Sequence, residues 1–420
     1  MKHPEIIDEN NIAAPRQAGQ PSGPTPWGQR ALEHATNLTL ASPGRGSATA
    51  EEAQAAAYVR AAAEKLGITD IREQRFNGLR SIWLFMGLAF GLAMVGHAAY
   101  WLLGRVYADL PTILIMLAAF GLSFYILWRK YTYRNYPLRN TLPHGPSQNV
   151  LASLPPQGEV RRRLVLVGHL DSHRAVFWWA TDFLFKFFIT STPVAMWGVA
   201  AAPLLYLLAM WTGFQPFAWV GLYLAVNHFL GWFTGVTADL GAYSPGANDN
   251  ASAVGTLLAL GERLQAQPLQ HTEVTLAFTG CEETGCDGMI TLIREQGEKL
   301  KDALFLDFEL VGTGDQIIYL SQEGTLRKKH IPADVQALVE EAGQPFDVQA
   351  YAKMPGGTFT ETGTVWEYGL KGVTLVAKYK DENSLPEWHR LSDVPGRLQP
   401  ETLERVHQLA WQIMQKWDAG

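Results

Sequence analysis

Cysteine is nearly missing from this chain. Cys281 and Cys286 are its only two, which excludes a disulfide scaffold and is compatible with a reducing compartment. Charge is sparse too: Asp, Glu, Lys and Arg make up 18% of the residues, with a net charge of −6. That balance holds no basic surplus, so no nucleic-acid partner is expected. The amino-terminal MKHPEIIDENNIAAPRQAG lacks an apolar core, so a cleaved secretory signal is not expected. Residues 1–37 read as a flexible lead. The 420 residues exceed the ~100–200 of an ordinary domain.

Charge is scarcest in two long blocks. Ser81–Gly104 contains no Asp, Glu, Lys or Arg, and Asp109–Trp128 has one acid at its start. Each is long enough to cross a bilayer core, which takes about 20 apolar residues as helix. Trp83, Tyr100, Trp101, Trp128 and Tyr131 lie near the ends, where interfacial aromatics belong. A second pair, Thr192–Trp211 and Phe217–Val236, follows the mixed segment WWATDFLFKFF. Asn227 and His228 are costly inside a span and are expected to face other helices. The expectation is an integral membrane protein with two hairpins, 81–128 and 176–238, making four spans. Core helices of a large soluble protein are the alternative. Arg72, Arg75 and Arg80 before the first hairpin, and Arg129, Lys130, Arg134 and Arg139 after it, outnumber the lone Arg105 in its turn. The soluble part is therefore expected on the cytoplasmic face.

Outside the hairpins the pattern is α/β. Thr49 with Glu52 three residues on fits a capping box, and Ala56, Val59, Ala63 and Leu66 follow at helical spacing. ITDIREQRF suggests an edge strand. Leu164–Val167, Val274–Phe278, Leu304–Leu306 and Val373–Ala377 read as short buried strands. Helical stretches Ala251–Leu264, Asp287–Gln296, Ala333–Ala342 and Pro400–Lys416 alternate with them. This predicts a mixed, mostly parallel central sheet with helices on both faces. It is assembled from residues 38–80, 129–175 and 239–420. Sites in such sheets gather at the carboxyl ends of strands.

Metal-ligand residue types stand at those ends: His169 and Asp171 in VGHLDSH, Asp249 in GANDNAS, Glu282 and Glu283 in TGCEETG, Asp307 in FLDFE, and His389 in EWHRLSD. An EE pair is usually solvated surface, but this one follows the apolar VTLAF. Asp249 alone reads equally well as a turn or a helix cap, and His389 alone as a surface histidine. Imidazole and carboxylate suit zinc, and two ions need a shared ligand, for which a carboxylate is the natural bridge. A pair of cations lowers the pKa of a bridging water, and a nearby carboxylate can relay its proton to a leaving amine. Cys281 abuts the pair without a histidine near it in sequence, which argues against a thiol nucleophile.

The order GHLDS, GANDNASAV, EE, LD and a late His resembles the dinuclear zinc aminopeptidase family, which includes bacterial leucyl aminopeptidase, glutamate carboxypeptidase II and glutaminyl cyclase. ASPGRGSATAEEAQAAAYVRAAAEKLG and SQNVLASLP resemble that family's amino-terminal helix and the strand before its metal motif. The resemblance implies the zinc aminopeptidase fold and two zinc ions per chain. Asp249 would bridge the ions, with His169 and Asp307 completing one and Glu283 and His389 the other. It also implies Glu282 as general base and Asp171 as the residue orienting the site from behind His169. The family's usual His-Thr…Asp becomes His389-Arg390…Asp393. The activity implied is removal of residues from peptide amino termini. A carboxypeptidase, dipeptidase or amidase, a glutaminyl-cyclase-like enzyme, or an inactive receptor module are alternatives on the same scaffold. Glu309 is a candidate for the substrate α-amine, Tyr379 for an oxyanion donor and His173 for a substrate contact. Gly356–Thr362 is expected to border the pocket. The second hairpin leaves just after Asp171 and returns just before Asp249, so it is expected to wall the entrance, favouring hydrophobic amino termini.

Overall fold

A computed structural model describes residues 26–104, 109–324, 327–352, 359–382 and 385–420. Most of the lead, the turn carrying Arg105 and part of the Gly356–Thr362 segment lie outside them. In chain order, α1 (Trp27–Ala41) and α2 (Ala50–Lys65) precede β1 (Asp70–Leu79). Next come α3 (Trp83–Ala98), α4 (Leu110–Lys130), β2 (His144–Leu154) and β3 (Arg162–His169). Then α5 (Asp182–Thr212), α6 (Pro216–Thr237), α7 (Ser252–Ala266), β4 (Thr272–Thr279), α8 (Asp287–Gln296) and β5 (Leu304–Glu309) follow. The chain continues through β6 (Gln316–Leu320), β7 (Gln322–Glu323), β8 (Lys329–His330), α9 (Ala333–Gly343) and β9 (Gln349–Tyr351). It ends with α10 (Glu361–Glu367), β10 (Lys371–Lys378) and α11 (Pro400–Ala419).

Eight strands form one sheet in the order β1-β2-β4-β3-β5-β10-β6-β9. The centre, β4-β3-β5-β10, is parallel, while β1, β2 and β6 pair antiparallel. The central strands are apolar throughout because helices cover them: α1, α7, α9 and α11 pack as one group, α8 and α10 as another. Leu164, Leu166, Leu276, Phe278, Leu304 and Leu306 are buried in this core. Two departures from the sequence reading stand out. The lead is helical from Trp27, because Ala31, Ala35 and Leu38 recur at helical spacing and are fully buried. The Gly28 N–H also donates to Glu404 Oε2 on α11. Strand β5 runs to Glu309, three residues beyond the Leu304–Leu306 read from the sequence.

The apolar blocks fold as α3, α4, α5 and α6, which pack on one another around Phe85, Phe90, Phe120, Met196, Val199 and Tyr206. Trp83–Gly104, Leu110–Lys130 and Asp182–Thr212 are long and apolar enough to cross a membrane. The 22-residue α6 is long enough but less apolar, with Asn227 and His228 at mid-helix. Those polar groups face the other helices. Trp101 Nε1 donates to the Tyr206 hydroxyl (3.2 Å), which lies 2.6 Å from His97 Nδ1. His97 Nε2 is 2.8 Å from His228 Nδ1, and His228 Nε2 is 2.9 Å from the Ala195 carbonyl. The carbonyl can only accept, so His228 Nε2 carries a proton and its Nδ1 accepts from His97 Nε2. His97 Nδ1 then accepts from Tyr206, and every atom in the chain is satisfied with both imidazoles neutral. The bundle's outer surface is apolar: Leu102, Leu114, Trp211, Trp219, Tyr223 and Phe233 are exposed.

Candidate metal centre

Register decides which side chains meet. In the parallel β3–β5 pair, Val167 stands opposite Asp307. Two residues on, His169 is level with Glu309, at the carboxyl edge of the sheet. His169 also pairs with Thr279, the last residue of β4, so the loop after β4 brings Glu282 and Glu283 to the same edge. His169 Nε2 lies 3.4 Å from Asp249 Oδ1 and 3.3 Å from Glu309 Oε1. On the other side, His389 Nε2 lies 3.4 Å from Asp249 Oδ2 and 3.3 Å from Glu283 Oε2. Asp249 thus faces both histidines, one through each oxygen. The Asp249–Asn250 peptide is cis.

The structure therefore brings together His169, Asp249, Glu283 and His389 as expected, with Glu309 where the sequence reading placed Asp307. Asp307 sits one side-chain step deeper on the same strand face. Its Oδ2 accepts from Thr374 Oγ1 (3.0 Å) and Thr362 Oγ1 (3.4 Å), so it lines the floor behind the cluster. Glu309, read as a substrate contact, lies with His169 and Asp249 at distances that could hold an ion, and its Oε2 accepts from Asn250 Nδ2 (2.9 Å). Tyr379 does not join the cluster. Its hydroxyl accepts from Gln399 Nε2 (2.9 Å), just before α11. His173 does reach the site, stacked on His389 with ring centroids 3.7 Å apart and within ligand distance of Glu283.

A backing layer fixes these groups. Asp171 Oδ1 accepts the Glu282 N–H (3.1 Å), and Oδ2 accepts the Glu283 N–H (3.1 Å) and the Ser47 hydroxyl (2.6 Å). Cys281 before them has φ 53, a left-handed turn that re-aims two adjacent glutamates instead of letting them alternate as on a strand. Glu52 Oε1 holds this turn by accepting the Cys281 N–H (2.8 Å), while its Oε2 accepts from the Ala48 N–H. Asp393 accepts from the N–H groups of Asn248 (2.6 Å) and Asp249 (3.0 Å). Fully buried Arg45 donates to the carbonyls of Leu170 (2.6 Å), Pro245 (2.9 Å) and Gly246 (2.6 Å), clamping the His169 and Asp249 loops together. Sequence reasoning missed Arg45, Glu52 and Glu361, whose Oε2 accepts from Thr279 Oγ1 (2.8 Å), as parts of this layer. The Gly44-Arg45-Gly46 run just before a capped helix was the available signal for Arg45.

The electrostatics are those of a site built around cations. Burial pushes the Glu282 and Glu283 carboxyls well above their usual range, and neighbouring carboxylates add to this. Burial, with neighbouring acids, raises Glu309 and Asp307 to about 7. Glu361, whose Oε2 accepts from Thr279, is pushed well up by burial and by Asp307. Burial alone would lower His169, but Glu309, Asp171 and Asp249 hold it well above its usual value. His389 is driven well down by burial and by the repulsion of His169. Both Asp249 oxygens and Glu283 Oε1 are buried with no hydrogen-bond partner among the described residues, a condition native interiors avoid. Ligands bound at about 2.0–2.1 Å in a tetrahedral site lie roughly 3.3–3.5 Å apart. The four His–carboxylate separations, 3.3 to 3.4 Å, match that spacing. The residues present fit zinc-like metal binding.

Beside the cluster lies an open cavity of about 820 Å³, counted with the solvent at its mouth. Glu282, Glu283, Glu309 and His389 form one wall, while Trp83, Met86 and Phe188 face them from α3 and α5. Phe359, from the expected border segment, lines it too.

Comparison with known proteins agrees with this geometry. The model of peptidase family M28 matches residues 228–414, a little under half the chain. The match takes in Asp249, Glu282, Glu283, Glu309 and His389 and leaves His169 and Asp171 outside. No curated protein sequence matches. Among solved structures, the chain is similar to a zinc aminopeptidase from Bacillus subtilis at 14% identity and TM-score 0.53, covering 92% of this chain and 94% of that one. It is similar to an Acidobacteriales bacterium glutaminyl cyclase at 14% identity and TM-score 0.54, covering 96% and 99%. It is also similar to a Zn-dependent exopeptidase from Parabacteroides distasonis at 12% identity and TM-score 0.54, covering 92% and 97%. The fold is the zinc aminopeptidase fold.

Proposed function

We propose that this chain is a zinc-dependent exopeptidase, most specifically an aminopeptidase, whose active site sits against a membrane-embedded helical bundle. The observation that carries the reading is the bridging position of Asp249, with each oxygen 3.4 Å from a different histidine. His169, Asp249 and Glu309 would hold one ion, and Asp249, Glu283 and His389 the other. Bound there, two zinc ions would supply Lewis acidity towards an amide carbonyl and acidify water.

The chain's own residues do the rest. Glu282 lines the cavity without being needed in either donor set. Cys286 Sγ donates to its Oε1 (3.6 Å), and burial raises its basicity. It is placed to accept the proton of an attacking water and pass it to the leaving amine. Asp171 orients Glu282 and Glu283 through their backbone N–H groups. No Lys or Arg lines the cavity among the described residues, so a substrate carboxylate finds no partner there. The acidic wall instead suits a free α-amine, which favours an aminopeptidase over a carboxypeptidase.

The membrane reading rests on three long apolar helices and the apolar outer surface of the bundle. It extends to α6 as a fourth span, since α6 packs along α3 and α5 and exposes Trp219, Tyr223, Phe229 and Phe233. The basic residues flanking α3 and α4 favour a cytoplasmic peptidase domain.

The test is hydrolysis of leucyl-p-nitroanilide by zinc-loaded protein in lipid nanodiscs. Activity on the free amine, loss on the acetylated substrate, and loss in Glu282→Gln with zinc content retained are expected. Cyclisation of amino-terminal glutamine without hydrolysis would move the reading to a glutaminyl cyclase. Absence of both activities would refute an enzymatic role.

A further inference from the structure

The cavity beside the metal centre does not stop at the centre's edge. A second, adjoining cavity of about 420 Å³, again counted with the solvent at its mouth, shares Met86, Phe188 and Thr192 with it. This second space continues between α3, α5 and α6, past Phe90 and Ala195 to Leu230 and Gly231. At that depth the α6 backbone packs directly on α3, since a Cβ on Gly231 would meet the Phe90 ring at 2.6 Å. The two spaces therefore adjoin, one beside the reactive carboxylates and the other within the body of the bundle. The second cavity's lining is mostly apolar, and no charged side chain lines it among the described residues. Its polar members are already engaged: Ser191 and Thr192 donate to the Phe188 carbonyl, Asn227 donates to the Tyr223 carbonyl, and Thr234 accepts from Trp178. A small amino-terminal side chain would leave most of this space unfilled. A peptide backbone would leave its N–H and C=O groups unpaired there. An alkyl chain has neither fault.

Resting on the reading of the metal centre given above, we infer that the preferred substrate carries a long apolar group on the residue whose amide is cut, threading past Met86, Phe188 and Thr192 into the crevice between α3, α5 and α6. The bundle then acts as the specificity pocket as well as the anchor. Because α3 and α5 supply its walls, a substrate whose long chain partitions into lipid reaches the site from the bilayer surface.

The test is calorimetric binding of a series of amino-acid hydroxamates to the zinc-loaded full chain in nanodiscs, from alanine through norleucine to 2-aminodecanoic acid. Affinity is expected to rise about three- to four-fold per methylene buried. In Thr192→Trp, which fills the junction, the ratio of 2-aminodecanoic to alanine affinity should fall at least about ten-fold. Phe188→Ala, which widens the junction, should tolerate branching near the chain's middle. A flat series, or a Thr192→Trp ratio equal to wild type, overturns the inference. Hydrolysis of short peptides with a flat series would leave the peptidase reading intact and remove this one. A rising series without hydrolysis would do the reverse.

Discussion

Glu309 and Asp307 lie two residues apart on one strand face, and the account assigns them different work. Glu309→Gln removes a charged donor 3.3 Å from His169 Nε2. The remaining donors for that ion are His169 and one oxygen of Asp249. Loss of a direct ligand should exceed the ~10–100-fold affinity loss typical of residues behind the ligands. At least ~100-fold is therefore expected, or about 2.8 kcal/mol at 1.4 kcal/mol per decade. Asp307→Asn keeps an acceptor oxygen for Thr374 and Thr362 and removes only a charge behind the cluster. Its effect should fall at or below about ten-fold. Competition for zinc against a chromophoric chelator reads both variants directly. In Glu309→Gln one of two zinc ions should weaken selectively, while Asp307→Asn should keep a stoichiometry near two. Equal losses, or a larger loss in Asp307→Asn, would refute the register argument that levels Glu309 with His169.

Three further outcomes are expected. Glu52 has its pKa raised by burial to about 8, and Asp393 and Glu309 theirs to about 7. Raised carboxyls favour folding while protonated, so metal-free protein should be most stable below about pH 4 and lose stability progressively as pH climbs from there to about 7–8. Zinc, which needs its carboxylate donors such as Glu309 ionised, should raise the melting temperature more at pH 8 than at pH 5, as thermal scans with and without zinc would show. Replacing Lys130 with Met removes the Nζ donor to the Thr284 carbonyl (2.6 Å) at the end of the glutamate loop. It should cost roughly 1.5–3 kcal/mol, read as a lower unfolding midpoint. His97→Phe breaks the polar chain joining α3, α5 and α6, costing about 0.6–2 kcal/mol in detergent unfolding while zinc stoichiometry stays at wild type.

Much of the site was legible because metal chemistry restricts residue types and α/β topology restricts where they stand. His169 and Glu283 each end or closely follow an apolar run, Asp249 and His389 stand in GANDNAS and EWHRLSD, and all four reach the cluster. The misplacement of Asp307 came from reading β5 as three residues. Phe308 and Glu309 extend it, and strand length sets which acid reaches the edge. The backing layer was largely hidden, since Arg45 and Glu52 act across more than a hundred residues of sequence and nothing local marks their partners. Tyr379 could not be placed for the same reason: its partner, Gln399, is set by how α11 docks. Helix α1 was missed because the polar, Pro- and Gly-rich residues before Trp27 masked the Ala31, Ala35 and Leu38 stripe.

The account turns on two ions sharing Asp249 beside Glu282. The most direct measurement is peptidase activity as zinc is titrated into metal-free protein, with bound zinc counted at each point. The prediction is no turnover without zinc and a maximum at about two equivalents. A chain that saturates at one zinc, or that turns over fully without metal, would contradict it.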